Sequence, residues 1–258
     1  LVKFVDGIPM AQYRPHTKEF LYELGFMCGK VTKAIHGIPT QNSVKRNLWE
    51  MHHAKETLQQ NIKCIDDSEM RNLVCHYLDI YNVISKSLEK QLRRGWIHND
   101  FNDYNVLVIP NLRDSPSLGL IDFGDMTHSY LVAEPAIACA YAMLNKDEPL
   151  EAAIHLISGF NKKFPLKEKE IEILFPMILM RLCLSVTLAE FQRQKDPKNE
   201  YLGISQEYVR KLLKNLHNKN VSYVHHLFRS ACNFEPSEKA NEFKKWQKKT
   251  VNRFHSLL

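Results

Sequence analysis

The chain has 258 residues, of which only 9 are glycine and 11 are proline, so it is unlike collagen and has too few turn residues for an all-β sandwich of many tight turns. With 44% hydrophobic and 25% charged residues, it has the composition of a globular protein rather than a disordered one. Lys and Arg outnumber Asp and Glu by 35 to 29, a mild excess that favours a phosphorylated ligand or an anionic partner without establishing either.

Signals for a membrane or for export are weak. The two longest apolar segments are interrupted by Glu134 and Arg181, so neither has the ~18 apolar residues that a membrane helix requires. The 6 cysteines form no Cys-x-x-Cys pair, which favours buried, reduced thiols over disulfides or a zinc site. We find no signal-peptide pattern. We therefore expect a cytoplasmic protein that binds neither a membrane nor a nucleic acid, and the sequence leaves its oligomeric state open.

The first predicted element is a strand over Leu1–Val5, followed by a turn at Asp6–Pro9. A single strand at this position has nothing to pair with, so we expect its partners to lie upstream of residue 1. Apolar residues at helical spacing then predict three helices, over about 17–36, 44–59 and 67–94. At the start of the third, Asp66 and Glu69 predict a capping box.

Residues 96–125 have a different pattern. Two short apolar segments, 106–109 and 118–121, flank a polar stretch, and this arrangement predicts a β-hairpin. Beyond residue 130 the helical spacing returns and predicts helices over about 132–145, 148–163, 167–195, 205–218, 221–232 and 237–256. Pro176 should break or kink the third of these. The predicted fold is therefore mainly α with a small β-hairpin insertion, in the α+β class.

The insertion also concentrates Asp and Asn. A His-x-Asp-x-x-x-x-Asn motif runs from His98 through Asp100 to Asn105, and Asp122 opens an Asp-Phe-Gly triplet at the end of the return strand. Because a hairpin brings its two ends together, we expect Asp100, Asn105 and Asp122 to converge. Phosphoryl transfer needs such a set: one carboxylate accepts the proton of the attacking hydroxyl, while an Asn oxygen and a second carboxylate hold Mg²⁺.

Loops favour Asp, Asn and Gly in general, so loop composition alone would explain part of this pattern. It does not explain the apolar residues beside the motifs, Ile97 and Leu120–Ile121, which place both loops at the ends of strands. The two motifs together are expected by chance in on the order of one in ten thousand chains of this length. We therefore favour the catalytic interpretation.

Both motifs resemble the catalytic and metal-binding loops of the protein-kinase-like fold. A motif without Arg before Asp100 is similar to that of the aminoglycoside phosphotransferase and choline kinase branch, whose members act on small molecules. The longer strings His98–Asn105 and Asp122–Met126 resemble the hydroxylysine kinase family. Three further segments extend the resemblance over most of residues 1–215: Leu1–Pro9, Arg46–Trp49 and Leu182–Tyr201.

The resemblance implies a small-molecule kinase that transfers the γ-phosphate of a nucleotide to the side-chain hydroxyl of 5-hydroxy-L-lysine, with GTP as the expected donor and ATP as the alternative. It implies that Asp100 is the catalytic base and that Asn105 and Asp122 bind Mg²⁺. His98, in the same motif, is expected to support the loop rather than to transfer protons. The nucleotide base is expected to contact the backbone of the hinge, at Phe4, Val5 and Asp6.

Hydroxylysine carries two ammonium groups and one carboxylate, so its pocket should contain acids and at least one base. The resemblance makes Asp103, Asp125 and Glu134 candidates for binding the ammonium groups. Arg181 is the candidate for the carboxylate. Each also has a structural interpretation. Asp103 and Asp125 are also suited to closing loops by hydrogen bonds, and Glu134 and Arg181 to forming a buried pair with each other.

The resemblance divides the chain into residues 1–9, the last strand of the N-terminal lobe and the hinge, and residues 10–258, a helical C-terminal lobe with catalytic and metal-binding loops at 97–125. Asn99 stands where the family usually has Gly, and we expect it to be tolerated because Asn accepts unusual backbone angles. No Gly-rich loop or strand Lys is present to hold the phosphates, so we expect an N-terminally truncated form whose β lobe is largely absent. Two alternatives remain: a catalytically silent kinase-like scaffold, and a kinase for choline, homoserine or an aminoglycoside.

Two histidine pairs, His52-His53 and His225-His226, raise the question of a metal site. Adjacent side chains on an α-helix point about 100° apart, so such a pair cannot share one ion without help from another residue. We therefore expect these histidines to be solvent-facing or to lie in the core.

Overall fold

The computed structural model describes residues 4–39, 47–109, 116–196 and 206–237, together with 239, 240, 242, 245 and 246. Its α-helices are α1 Lys18–Ile35, α2 Ala54–Asn61, α3 Ser68–Leu88, α4 Ala133–Ala142, α5 Pro149–Lys163, α6 Glu168–Lys195, α7 Gln206–Leu216 and α8 Val221–Ala231. Its strands are β1 Ile8–Pro9, β2 Arg94–Ile97, β3 Val106–Ile109, β4 Ser117–Leu120 and β5 Thr127–Tyr130. The prediction of a mainly α fold with few strands is confirmed.

The strands form two small antiparallel sheets. One has the order β1-β3-β4 and contains the predicted hairpin, with Val106 opposite Leu120. The other pairs β2 with β5, with Ile97 opposite Thr127. The end of β2, the start of β3 and the end of β4 therefore carry the two polar motifs, as the sequence predicted. The second sheet was not predicted, because β5 has no alternation of apolar and polar residues.

Near the start of the chain the predicted elements are shifted. Residues 4–7 are not a strand, and Ile8–Pro9, predicted to lie in a turn, pair with Leu107 and Val108 of β3. The helix predicted over 44–59 begins only at Ala54, after a 3-10 turn at Met51–His53. The N-cap of α3 is Asp67 rather than Asp66, and its carboxylate accepts hydrogen bonds from the backbone N–H groups of Glu69 and Met70.

Some predicted segments lie outside the described residues. These are Leu1–Lys3 of the first strand, residues 44–46 of the second helix, most of the helix predicted over 237–256, and residues 197–201 of the family resemblance.

The core is centred on α6. This helix is continuous through Pro176, so the predicted break is wrong; proline removes only one backbone hydrogen bond, and the surrounding burial compensates for that loss. By length and hydropathy α6 is the one helix among the described residues that is apolar enough to cross a membrane, but 94% of its apolar window is buried inside the protein, and core helices meet the same criterion. All six cysteines are free, as the sequence predicted, and four of them are buried, while Cys64 is half-buried and Cys75 is exposed.

Helices α1 and α5 touch through two glycines. A Cβ atom on Gly25 would lie 1.8 Å from the carbonyl oxygen of Leu156, and one on Gly159 would lie 1.9 Å from that of Tyr22. No side chain fits at either position, so the two backbones approach in a way that only glycine permits. This contact fixes the position of α1 relative to α5 within the helical part of the protein that carries the polar loops.

Candidate active site

The loop after β2, residues 98–105, is shaped by its own polar side chains. Asn99 has a φ of 66°, in the left-handed region that Asn tolerates better than most residues. The side-chain oxygen of Asn102 accepts hydrogen bonds from the backbone N–H groups of Tyr104 (2.8 Å) and Asn105 (2.9 Å). These bonds wind the loop back, and β3 starts directly after it.

The carboxylate of Asp100 is held by three donors. Arg181 Nη2 donates to Oδ1 at 2.8 Å, and the side-chain amides of Asn102 and Asn105 donate to Oδ2 at 2.9 and 2.7 Å. Its side chain is 22% exposed, so it remains accessible. A carboxylate accepts about four hydrogen bonds, so one acceptor position on Oδ1 remains for a substrate hydroxyl.

His98 connects the two motifs. Its Nδ1 accepts a hydrogen bond from the backbone N–H of Asp100 (3.3 Å), and its Nε2 donates to the carbonyl oxygen of Ile121 (3.0 Å). Its ring packs edge-on against Phe123, with ring centroids 4.7 Å apart. Burial lowers the pKa of His98, so the ring is neutral at pH 7. Because both ring nitrogens are engaged, the geometry favours the predicted role of His98 in supporting the loop over proton transfer.

Asn105 and Asp122 fit the oxygen-ligand pair that Mg²⁺ prefers. The amide nitrogen of Asn105 is used in bonds to the Asp100 carbonyl and carboxylate, which leaves its amide oxygen as a ligand. Asp122 is exposed, has a left-handed φ of 59°, and accepts one hydrogen bond from the N–H of Gly124. A backbone hydrogen bond of 3.0 Å from Ile121 to Asn105 ties the two segments together.

Asp125 extends this acidic group. Burial raises the pKa of Asp125, and the nearby negative charges of Asp100 and Asp122 raise it further, because neighbouring carboxylates repel one another. Its Oδ1 accepts a hydrogen bond from the side-chain amide of Asn47 at 2.6 Å. This bond gives Asp125 the loop-closing contact that the sequence left open, and it leaves the second carboxylate oxygen for a cation.

Asp103 lies on the other side of the loop. Its carbonyl oxygen accepts a hydrogen bond from the backbone N–H of Ala11 (2.9 Å), which joins the loop to the segment after β1. Burial raises the pKa of Asp103 to about 6, and the nearby charge of Arg14 partly opposes that rise.

Glu134 and Arg181 are buried, but they do not form the predicted pair with each other. Glu134, at the start of α4, accepts a hydrogen bond from the backbone N–H of His98, and burial raises its pKa to about 7. Arg181, on α6, forms its ion pair with Asp100 instead. Their mutual pairing was therefore a wrong expectation, since the turn of the catalytic loop lies between them and supplies a partner to each.

Arg181 is also poorly placed for a substrate carboxylate. Its guanidinium lies between the rings of Trp49 and Tyr141, 4.6 and 5.4 Å from their centroids, and Nη2 also donates to the Tyr141 hydroxyl at 3.2 Å. Only 2% of its side chain is exposed. These contacts favour a structural role for Arg181, in which it positions Asp100, over the predicted contact with a substrate carboxylate.

The segment expected to meet the nucleotide base lies beside the β1-β3-β4 sheet. Phe4 is 85% exposed and Asp6 is also exposed, while Val5 packs against Gly119 of β4.

Four residues that organise the site were not proposed as site residues from the sequence: Asn47, Trp49, Asn102 and Tyr141. Of these, Asn47 and Trp49 lie in the segment Arg46–Trp49 and Asn102 lies in His98–Asn105, both of which carry the family resemblance. Asn102 had a local signal, because an Asn three residues before another Asn in a loop is suited to bonding the backbone. The other three come from distant parts of the chain, and only the fold brings them to Asp125 and Arg181.

Sequence comparison places this arrangement among known proteins. The family model for phosphotransferase enzymes matches residues 1–162. A hydroxylysine kinase from Bos taurus is 27% identical over 215 residues, which are 80% of this chain and 57% of that protein. A hydroxylysine kinase from Danio rerio is 30% identical over 214 residues, which are 80% of this chain and 59% of that protein. The chain thus spans about three fifths of the length of these relatives.

Structural comparison agrees on the fold. An aminopropanol kinase associated with a microcompartment matches with a TM-score of 0.56 and 14% identity, over 86% of this chain and 65% of that one. An ethanolamine kinase from Plasmodium vivax matches with a TM-score of 0.53 and 15% identity, over 89% of this chain and 65% of that one. The kinase-like fold expected from the two motifs is confirmed.

Proposed function

The chain belongs to the phosphotransferase enzyme family, and from that premise we propose that it is the catalytic part of a small-molecule kinase that transfers the γ-phosphate of GTP to the side-chain hydroxyl of 5-hydroxy-L-lysine. The named relatives support the substrate, since those matched over 80% of the chain include two hydroxylysine kinases. GTP as donor follows from the family resemblance, and ATP is the alternative to test.

One arrangement carries the proposal: Asp100 is held rigidly by Arg181, Asn102 and Asn105 while one acceptor position on Oδ1 stays free. The substrate hydroxyl would donate its hydrogen bond there. Its oxygen then bonds to the γ-phosphorus, the bond from that phosphorus to the β-phosphate oxygen breaks, and the nucleoside diphosphate leaves. The hydroxyl proton passes to Asp100. Asn105 and Asp122 would hold Mg²⁺, which when bound neutralises negative charge on the phosphates.

The three donors to Asp100 suit this chemistry. A loose phosphoryl-transfer transition state needs a well-placed hydroxyl more than a strong base. Fixing both carboxylate oxygens in advance removes the entropy cost of placing them during the reaction. Arg181 supplies much of this rigidity, since it is held by two aromatic rings and by the helix α6.

The acids around the site support a substrate with ammonium groups. Asp103 and Asp125 flank Asp100 closely enough for their charges to interact with it, and each has a raised pKa that a bound cation would lower again. Glu134 is the weaker candidate for this role, because it is fully buried and already bonds the His98 N–H. We assign the two ammonium groups of hydroxylysine to Asp103 and Asp125.

An assay of nucleoside diphosphate release in the presence of Mg²⁺ tests the proposal on this chain and on the product of its complete gene. GTP and ATP are each paired with 5-hydroxy-L-lysine, choline, homoserine and an aminoglycoside. L-lysine is the matched control, because it differs from the proposed substrate only by the reacting hydroxyl. We expect turnover with hydroxylysine and GTP, and none with lysine.

Faster turnover of choline, homoserine or the aminoglycoside would overturn the substrate while keeping the kinase. Turnover with ATP alone would overturn the donor. No turnover by either protein with any pair, in folded samples that bind no nucleotide, would favour a catalytically silent scaffold.

A further inference from the structure

Glu50, His52 and His53 form a cluster apart from the proposed Mg²⁺ ligands. Each contributes one potential ligand atom, and these atoms all lie within 4.8 Å of one another. Glu50 Oε2 lies 3.6 Å from His52 Nε2 and 3.9 Å from His53 Nε2. With Zn–N and Zn–O bonds near 2.0–2.1 Å, neighbouring ligand atoms around a tetrahedral zinc are ~3.4 Å apart. The two distances from Glu50 Oε2 are thus within about 0.5 Å of that spacing. The remaining ligand distances lie within 4.8 Å, so side-chain rotation has to bring the two imidazole nitrogens closer together when an ion binds.

The backbone explains how two adjacent histidines converge. Met51–His53 form a 3-10 turn, and His53 leaves the helical region with φ −113° and ψ 7° before α2 begins. The two imidazole rings lie with centroids 4.0 Å apart. Glu50, just before the turn, supplies the third ligand atom. The objection that a helical pair needs help from another residue is therefore met by Glu50 and by the non-helical backbone.

Outer hydrogen bonds orient the ligand atoms, as in protein metal sites. His52 Nδ1 lies 3.1 Å from the Ser129 hydroxyl oxygen, and in the tautomer in which Nδ1 donates to that oxygen, Nε2 carries the lone pair that would bind a metal. Glu50 Oε1 accepts hydrogen bonds from the Asn47 backbone N–H (3.1 Å) and from the Thr127 hydroxyl (3.3 Å), so Oε2 is the oxygen left for a metal. The side chains of Glu50 and His52 are 5% and 14% exposed, and that of His53 is 35% exposed.

We propose that Glu50, His52 and His53 bind a Zn²⁺ ion, with a water molecule in the fourth position. Two imidazoles and one carboxylate match the ligand types that zinc takes, whereas Mg²⁺ prefers oxygen ligands alone. The ion would link the turn before α2 to β5, which carries Ser129 and Thr127. It would also act next to the active site, because Asn47 bonds both Glu50 and Asp125. The proposal does not depend on which substrate the enzyme uses.

The second histidine pair is a natural control. His225 and His226 are also adjacent, but their ring centroids are 6.1 Å apart, and within the described part of the chain neither forms an ion pair with a carboxylate. The ring nitrogen Nδ1 of His226 bonds the carbonyl oxygen of Pro236. A metal that bound any two adjacent histidines would bind both pairs, whereas the proposed site requires the close rings and the carboxylate that only the pair at 52–53 has among the described residues.

The test is a titration of the chelator-treated, full 258-residue chain with Co²⁺, whose visible absorption reports four-coordinate binding, followed by displacement with Zn²⁺. We expect one equivalent to bind in the presence of millimolar Mg²⁺. His53→Asn and Glu50→Gln should each weaken binding by at least about tenfold, since even outer ligands are worth that much. His226→Asn should leave it unchanged.

Three results would overturn the proposal: no four-coordinate Co²⁺ spectrum from folded protein, displacement of Co²⁺ by Mg²⁺, or equal affinity in wild type and His53→Asn. Circular dichroism establishes that each variant is folded. His53 is partly exposed, and Glu50→Gln keeps an oxygen for Asn47 and Thr127. At least one of the two variants should therefore fold, so that its affinity for Co²⁺ can be measured.

Discussion

The loop 98–105 and the crossing of α1 and α5 keep their atoms in place by different means. The loop uses polar side chains, each bonding more than one group: Asn102 bonds two backbone N–H groups and Asp100, and Arg181 bonds Asp100 and Tyr141. The helix crossing uses the absence of side chains, at Gly25 and Gly159. The first arrangement directs particular atoms at a substrate, and the second brings two backbones to contact distance.

This difference predicts two kinds of mutant. A substitution in the loop that preserves its shape should lower turnover by more than it lowers stability. A substitution at the helix crossing should lower stability and leave the chemistry of the folded fraction unchanged. The expected effects decrease from Asp100→Asn to Asn102→Asp, and turnover is measured with the nucleotide and acceptor that the assay identifies.

The largest effect is expected for Asp100→Asn, which should lower kcat by about 10²–10⁴, the usual range for loss of a general base. Asn keeps an oxygen for Arg181 but loses the counter-charge and the second acceptor oxygen, so the free energy of unfolding should fall by about 1.5–3 kcal/mol. Steady-state kinetics and urea unfolding measure the two effects. Asp100→Ala is the comparison, because it removes the counter-charge as Asn does and also the last oxygen that accepts from Arg181, and it should be more destabilising. Unchanged turnover in Asp100→Asn would remove Asp100 from the mechanism.

At the helix crossing, Gly159→Ala should reduce the free energy of unfolding by about 3 kcal/mol, at the upper end of overpacking costs. The new Cβ would meet the Tyr22 carbonyl oxygen at 1.9 Å, and backbone cannot move away as a side chain can. Gly37→Ala is the control, since nothing lies within 4 Å of a Cβ there. Urea unfolding compares them. Equal stability of the two variants would mean that α1 and α5 separate easily, and a lower kcat per folded molecule would mean that the two regions are coupled.

Glu134 lies between the two regions, because its helix α4 packs against α1 and α5 while its side chain bonds the loop at His98. Burial raises its pKa from 4.5 to about 7, so the folded chain binds this proton more tightly than the unfolded chain. The stability it contributes is complete below pH 4.5 and is lost as pH rises through about 7, an effect of about 3 kcal/mol. Glu134→Gln keeps an acceptor for the His98 N–H and cannot titrate.

The measurement for Glu134 is the free energy of unfolding at pH 5 and pH 8 for wild type and Glu134→Gln. Other groups, including Asp103 with its pKa of about 6, titrate in both proteins and cancel in the difference. Wild type should lose more stability than the variant between the two pH values. Parallel profiles would mean that Glu134 is ionised or hydrated in the folded protein at both pH values.

Regular elements could be predicted from the sequence where apolar spacing alone determines them. Helix α1 was predicted within a residue of its bounds, because its buried residues recur every three or four positions. The break at Pro176 was wrong because a local rule was applied to a helix whose burial outweighs one lost hydrogen bond. β5 was missed because its strand character comes from pairing with β2 rather than from its own sequence.

The candidate site divides in the same way. Asp100, Asn105 and Asp122 share a short motif and a hairpin, so their convergence could be predicted. The partners of Arg181 could not, because Trp49, Asn99 and Tyr141 come from three other segments, and one-dimensional spacing carries no information on such contacts. The close approach of the rings of His52 and His53 could not be predicted, because an α-helix was assumed where the backbone forms a 3-10 turn.

The smallest effect is expected for Asn102→Asp, which separates the two functions of one loop residue. The Asp keeps the oxygen that accepts the N–H groups of Tyr104 and Asn105, so the loop should keep its shape. Its second oxygen replaces the amide 2.9 Å from Asp100 Oδ2, and repulsion between the two carboxylates should lower the free energy of unfolding by about 1 kcal/mol. It loses the donor to Asp100 Oδ2, and that charge-assisted bond is worth about 1.5 kcal/mol, or roughly tenfold in kcat. Asn102→Ala, which removes the acceptor as well, should also lose stability. If both variants had normal kcat, Arg181 and Asn105 would suffice to hold Asp100, and the loop would depend less on shared polar contacts than its geometry indicates.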